Sequence, residues 1–272
     1  MPESGQIDVL RADIGGRSIT YRRAGQGPAL VFLHGFTQDS RVWEPQLRGL
    51  SDRFTVVAWD APGAGQSDDP PDSYAIGDWA DGLERLLDVE GLPRATICGL
   101  SWGGLLAQVL YQRSPDRVER LVLADTYAGW AGSLPDPMPA ERLAACLRDS
   151  SLNSPEFVAR YLPAMLSASP PENVRTGLAS IMADFHPSGF RLMAAALARA
   201  DTREILPGIR VPTLLIWGDS DVRSPLSVAH QMHDAIPDSA LMVIPKAGHV
   251  SNLERPTEFN QGIRDWMSQA SG

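Results

Sequence analysis

The stretch Ala95-Thr96-Ile97-Cys98-Gly99-Leu100-Ser101-Trp102-Gly103-Gly104 constrains this chain most. A short apolar run ends there in Gly-x-Ser-x-Gly and passes straight into Leu105, Leu106, Val109 and Leu110, which recur at helical spacing. Gly91-Leu92-Pro93 bounds the run on its other side, so the pattern predicts strand, tight turn and helix in immediate succession. Only glycine beside the serine lets a buried strand and a helix cross so closely. The turn lifts the Ser101 hydroxyl clear of the backbone and sets it beside the amino end of the helix.

Around this turn the chain alternates. Apolar runs at 29–33, 54–59, 95–98, 121–123, 213–217 and 241–244 predict buried strands, and two antiparallel strands are expected over 7–25. Helices are expected over 42–50, 74–89 and 224–236, with a last one marked by Phe259, Ile263, Trp266 and Met267. Such alternation specifies a mainly parallel sheet covered by helices on both faces. Between 127 and 206 it stops. That segment is too long to lack structure of its own, yet it carries no strand pattern. It carries helix starts such as Ser154-Pro155-Glu156 and apolar faces such as Phe157, Tyr161, Leu162 and Met165, or Phe190, Met193, Ala194 and Leu197. The expected organisation is a core domain, 1–126 and 207–272, with a helical cap (lid) inserted at 127–206. The insertion returns at Val211 and is expected over the sheet edge where Ser101 emerges.

Charge and termini narrow the partners. Acidic residues outnumber basic ones, 33 against 24, for a net charge of −9. No basic cluster stands out, which argues against nucleic acid. No apolar run reaches the length of a bilayer, and Met1-Pro2-Glu3-Ser4-Gly5-Gln6 has neither a basic start nor an apolar core, so no membrane partner and a cytoplasmic location are expected. A monomer or homodimer acting on a small molecule fits this composition. Cys98 lies in the apolar run and Cys146 in a helical pattern, so both read as buried free thiols.

A serine hydroxyl needs a base to take its proton, usually an imidazole oriented by a carboxylate. In this chain one of each follows successive parallel strands: Ser101 the third, Asp221 the fifth, His249 the sixth. Strand ends of a parallel sheet share one edge, where ligands bind. Of the other histidines, His34 reads as a loop former, His186 as a surface group of the insertion, and His230 and His233 as a helix pair with no further ligands, so no metal site is expected. Asp219 reads as a turn former and Asp125 as the rival acid.

Taken together, Gly99-Leu100-Ser101-Trp102-Gly103, His34-Gly35, the loop Asp60-Ala61-Pro62-Gly63-Ala64-Gly65-Gln66-Ser67, Gly218-Asp219-Ser220-Asp221 and Gly248-His249 resemble the signature set of the α/β-hydrolase fold, in its usual order. The resemblance implies a mainly parallel eight-stranded sheet, Ser101 as nucleophile, Asp221 as acid and His249 as base. It also implies an oxyanion hole from the backbone N–H groups of Phe36 and Trp102, and no cofactor. His34, Trp102, Tyr127 and Val250 are candidates for the substrate pocket.

Serine at the turn sets the chain apart from the dehalogenases and epoxide hydrolases of this fold, which use aspartate there. The segment Gly248-His249-Val250-Ser251-Asn252-Leu253-Glu254-Arg255-Pro256, with Phe259-Asn260, resembles 3-oxoadipate enol-lactonases and small carboxylesterases. That resemblance implies hydrolysis of an ester or lactone through an acyl-enzyme. An enol-lactonase substrate would call for a carboxylate clamp, for which Arg142, Arg148, Arg160, Arg175 and Arg191 are available, most of them expected as solvated charges. Two alternatives remain: a carbon–carbon hydrolase of a meta-cleavage-type diketone, and a ligand-binding or tailoring protein on the same scaffold.

Overall fold

A computed structural model describes residues 6–269; residues 1–5, on which the reading of the N-terminus rested, lie outside the described residues. Eight strands form one sheet: β1 (Asp8–Asp13), β2 (Ser18–Ala24), β3 (Ala29–Leu33), β4 (Thr55–Trp59), β5 (Ala95–Leu100), β6 (Val118–Ala124), β7 (Thr213–Gly218) and β8 (Ser239–Ile244). Their order is β1-β2-β4-β3-β5-β6-β7-β8. The first two strands pair antiparallel, β2 with β1 and with β4, and every later pairing is parallel. All residues of β4, β5 and β7 are buried, as apolar runs covered on both faces must be. Leu100 lies level with Ala124, Ala124 with Ile216 and Gly218 with Ile244, so these strands stop at one edge.

Helices fill the crossovers: α1 (Glu44–Leu50), α2 (Ile76–Val89) and α3 (Trp102–Arg113) before β6, then α9 (Leu226–Ala235), α10 (Ser251–Glu254) and α11 (Pro256–Gln269) around and after β8. The single helix expected over 42–50 is instead a 3₁₀ turn, Ser40–Trp43, followed by α1. The Asp39 carboxylate caps the Arg41 N–H, and Pro45, which lacks an N–H, restarts the helix in its first turn.

Between β6 and β7 stand α4 (Trp130–Ser133), α5 (Met138–Asp149), α6 (Ser154–Tyr161), α7 (Glu172–Ala183) and α8 (Pro187–Arg199). No strand occurs there among the described residues. Asn153 and Glu156 close a reciprocal capping box on α6, at the helix start read from the sequence. Phe157 stacks on Phe185 and on Tyr161, Phe190 meets all three edge-on, and full burial of Phe157 and Phe190 contributes about 1.5–3 kcal/mol each. The two ends of the insertion are tied at a neck. The Thr202 N–H donates to the Ala128 carbonyl at 3.0 Å, and the Gln108 side chain donates to the Tyr127 carbonyl while accepting from the Thr202 hydroxyl.

Candidate active site

Ser101 occupies the turn between β5 and α3 with φ +54°, a left-handed conformation that costs a residue bearing a Cβ and is kept only where its surroundings enforce it. The surroundings here are glycine contacts. A Cβ on Gly99 would collide with the Gly103 carbonyl, and one on Gly103 with the carbonyl of Leu33. The spacing of the motif is thus the spacing at which α3 crosses β5 and β3. The Thr126 hydroxyl donates to the Ser101 carbonyl, and the Ser101 N–H donates to the Ala124 carbonyl at 2.9 Å.

His249 and Asp221 reach the same edge from the loops after β8 and β7. The Ser101 Oγ lies 2.9 Å from His249 Nε2, and His249 Nδ1 lies 2.7 Å from Asp221 Oδ2. All three side chains are buried. Asp221 Oδ1 accepts the N–H groups of Arg223 and Ser224 at 2.7 and 2.9 Å, which leaves Oδ2 to the imidazole. With that carboxylate as acceptor, Nδ1 carries the proton and Nε2 presents its lone pair to the serine hydroxyl.

The rival acid is engaged elsewhere. Asp125 Oδ1 accepts the Gly218 N–H at 2.8 Å and Oδ2 accepts the Ser251 hydroxyl at 2.6 Å, so it joins the end of β7 to the start of α10. Burial pushes its carboxyl well above the usual range, and the nearby Asp221 charge adds to the effect. Asp219 forms a turn, accepting from the Lys246 N–H and the Ser220 hydroxyl.

The loop after β3 brings Phe36 to the serine. Gly35 lies close to the serine, where a Cβ would just touch the Ser101 Cβ at 3.4 Å and press on the Gln38 side-chain oxygen at 3.1 Å. Neither the Phe36 nor the Trp102 N–H is given an acceptor by the loop hydrogen bonds of the described residues. Of the pocket candidates, His34 is spent on the loops. Its Nδ1 donates to the Gly35 carbonyl and its Nε2 accepts the Ala61 N–H at 3.0 Å, and burial holds its pKa below the ordinary value. Trp102 is fully buried, edge-on to Trp79 with ring centroids 5.2 Å apart. Tyr127 packs 6.3 Å from the His249 ring, and Val250 is buried beside it. His186 of the insertion meets Asp69 Oδ1 at 2.6 Å and the Gly65 carbonyl at 3.0 Å. Cys98 is enclosed, with its thiol pushed well above its ordinary pKa by burial, so it offers no thiolate.

Two groups escaped the sequence reading. Glu254 on α10, which forms no ion pair among the described residues, accepts from the Gly248 N–H at 2.7 Å and from the N–H and hydroxyl of Ser167 in the insertion. Arg223 lies with its guanidinium 5.4 Å from the centroid of the Phe36 ring. Glu254 lies in the segment 248–256 that resembles the enol-lactonases, where no role is implied for it, and Arg223 has no motif, only its place two residues beyond Asp221.

This sheet and this turn define a class, and residues 28–256 match the alpha/beta hydrolase fold family, to which the chain belongs. The 3-oxoadipate enol-lactonase 2 of Acinetobacter baylyi is 28% identical over 257 residues, 93% of this chain and 94% of that protein. A pimeloyl-[acyl-carrier protein] methyl ester esterase of Nitrosomonas europaea is 32% identical, covering 89% of this chain and 96% of the esterase. Among solved structures, the enol-lactonase from Burkholderia xenovorans superposes with a TM-score of 0.87 at 27% identity, over 95% of this chain and 100% of that one. These relatives are hydrolases. No helix of the described residues is long and apolar enough to cross a membrane.

Proposed function

We propose that the protein is a serine hydrolase that cleaves an ester or lactone of a small organic molecule through an acyl-enzyme. The observation that carries this is the hydrogen-bonded chain from Ser101 through His249 to Asp221, 2.9 and 2.7 Å in its two links, at a serine held in a left-handed turn. The esterase and enol-lactonase names of the relatives support the same reading.

In the first half-reaction Ser101 Oγ attacks the carbonyl carbon as His249 Nε2 takes its proton, and Asp221 steadies the imidazolium. The carbonyl oxygen becomes an anion between the N–H groups of Phe36 and Trp102, the second of them at the amino end of α3, where the helix dipole adds to the attraction. Collapse of the tetrahedral intermediate breaks the ester bond, and the departing alkoxide takes the proton from His249. Water then gives its proton to His249, attacks the acyl carbon, and releases the acid and the serine hydroxyl. Residues 127–206 act as a cap over this edge, and the protein works in the cytoplasm as a monomer or homodimer.

The test is a panel of 4-nitrophenyl esters from acetate to decanoate, with several lactones, given to wild type and Ser101→Ala. Turnover by wild type, reduced at least about a thousand-fold in the variant, is expected, with an acyl adduct on Ser101 by mass spectrometry. Equal rates would remove Ser101 as nucleophile. Turnover of a vinylogous diketone in place of every ester would move the chemistry to carbon–carbon bonds.

A further inference from the structure

Between the insertion and the loop that carries Asp221 lies an open cleft of about 260 Å³, bounded by Trp130, Arg142, Asp149, Arg160, Tyr161 and Arg223 among others. Three guanidinium groups meet one carboxylate there. That carboxylate, Asp149, is already taken by Arg160 and by the Tyr161 hydroxyl, at 3.3 and 2.9 Å. Among the described residues neither Arg142 nor Arg223 has a carboxylate within ion-pair distance.

Both are nonetheless held in place. Arg142 donates from Nη1 and Nη2 to the Arg223 carbonyl and from Nη1 to the Tyr127 hydroxyl, each at 3.2 Å, and its guanidinium lies 5.6 Å from the centroid of the Trp130 ring. Arg223 faces the Phe36 ring, and its Nε is buried without a hydrogen-bond partner. A guanidinium kept against aromatic faces rather than in water retains its charge and a fork of donors suited to a carboxylate. Asp221, two residues before Arg223, is spent on His249 and on two backbone N–H groups. Both arginines contact aromatic rings that reach the site: Arg223 faces Phe36, whose N–H is proposed for the oxyanion, and Arg142 donates to Tyr127, whose ring lies 6.3 Å from that of His249.

We propose that this cleft binds a carboxylate carried by the substrate, with Arg223 of the core and Arg142 of α5 as its partners. The inference rests on ester or lactone hydrolysis at Ser101 and makes the substrate an acidic one. An anion seated there would also bridge insertion and core, because each contributes one guanidinium.

Mono-4-nitrophenyl glutarate and 4-nitrophenyl pentanoate have acyl chains of equal length and differ in a terminal carboxylate. Wild type is expected to favour the acidic ester by at least about tenfold in kcat/KM, a ratio that Arg223→Met and Arg142→Met each lower about tenfold and that Arg203→Met, at an exposed pair with Asp201, leaves alone. Equal or better use of the neutral ester by wild type would overturn the proposal, as would an unchanged ratio in both cleft variants. Titrating folded Ser101→Ala protein with monomethyl glutarate and with the neutral methyl pentanoate needs no turnover and no altered cleft. Tighter binding of the acidic ester would uphold the anion site even if the hydrolytic reading failed, and equal binding would remove the site while leaving that reading intact.

Discussion

Along the edge of the sheet each side chain of the proposed triad stands a few residues past a strand end: Ser101 after β5, Asp221 after β7, His249 after β8. In the insertion polar groups that meet the core, among them Arg142, Ser167, Asp184 and His186, belong to separate segments with no motif of their own. The sheet fixes positions through a backbone ladder whose register leaves little choice. The insertion fixes them through side chains, which can be exchanged without changing the fold. In the reaction proposed above the chemistry therefore sits on the sheet edge, and in the proposed cleft the choice of substrate falls to the junction between the two regions.

The sharpest way to break that comparison is to exchange the two buried aspartates at the edge. Asp221→Asn is expected to lower kcat by about 10³–10⁴-fold with the fold intact, because an amide no longer selects the productive tautomer of His249. Asp125→Asn should cost less than about tenfold in kcat and act on stability instead. Its folded carboxyl holds its proton well above the ordinary 3.8, while the unfolded chain releases it there. The stability tied to that proton is thus complete below about pH 4 and is lost as pH rises from there through the folded pKa. Melting curves between about pH 5 and pH 8 should fall less steeply for Asp125→Asn than for wild type. A reversed pair of phenotypes would make Asp125 the acid.

Legibility in the sequence divides along the same line. The strands announced themselves as short apolar runs, because strands buried on both faces leave no room for polar residues. Edge strand β8 was read two residues short, since Ser239 and Ala240 are not fully buried and carry no apolar signal. The serine turn was legible because glycine contacts dictate its spacing. Helices of the insertion were legible as apolar faces, and Phe157, Tyr161, Met165, Phe190 and Met193 do form its buried interior. What faces the site from that insertion was not legible. Of five arginines suggested as a carboxylate clamp, Arg142 turns to the core, Arg160 and Arg175 pair with acids of the insertion, and Arg223 was not among them. Helical spacing tells which face is apolar, not which charge lacks a partner.

A middle-sized effect is expected where the two regions touch. Glu254 receives the N–H of Gly248, next to His249, together with the N–H and hydroxyl of Ser167. Glu254→Gln keeps one acceptor oxygen and loses the charge, at a cost of about 1–2 kcal/mol. The melting temperature should drop by about 2–4 °C and kcat by less than about tenfold. A loss as large as that of Asp221→Asn would place Glu254 among the groups that set the His249 ring directly.

The smallest effect is expected on the outer face of the insertion, where Arg175 pairs with Glu172 one turn away on α7 at 2.7 Å. Both side chains are more than half exposed, 54% and 68%, so solvent and salt screen the pair. Arg175→Ala should change stability by less than about 0.5 kcal/mol and leave kcat/KM for both acidic and neutral esters at the wild-type value. A larger shift in melting temperature, or a selective loss on acidic esters, would mean that charge on this face reaches the cleft. The proposed division between a sheet edge for the reaction and a junction for substrate choice would then have to include the outer helices as well.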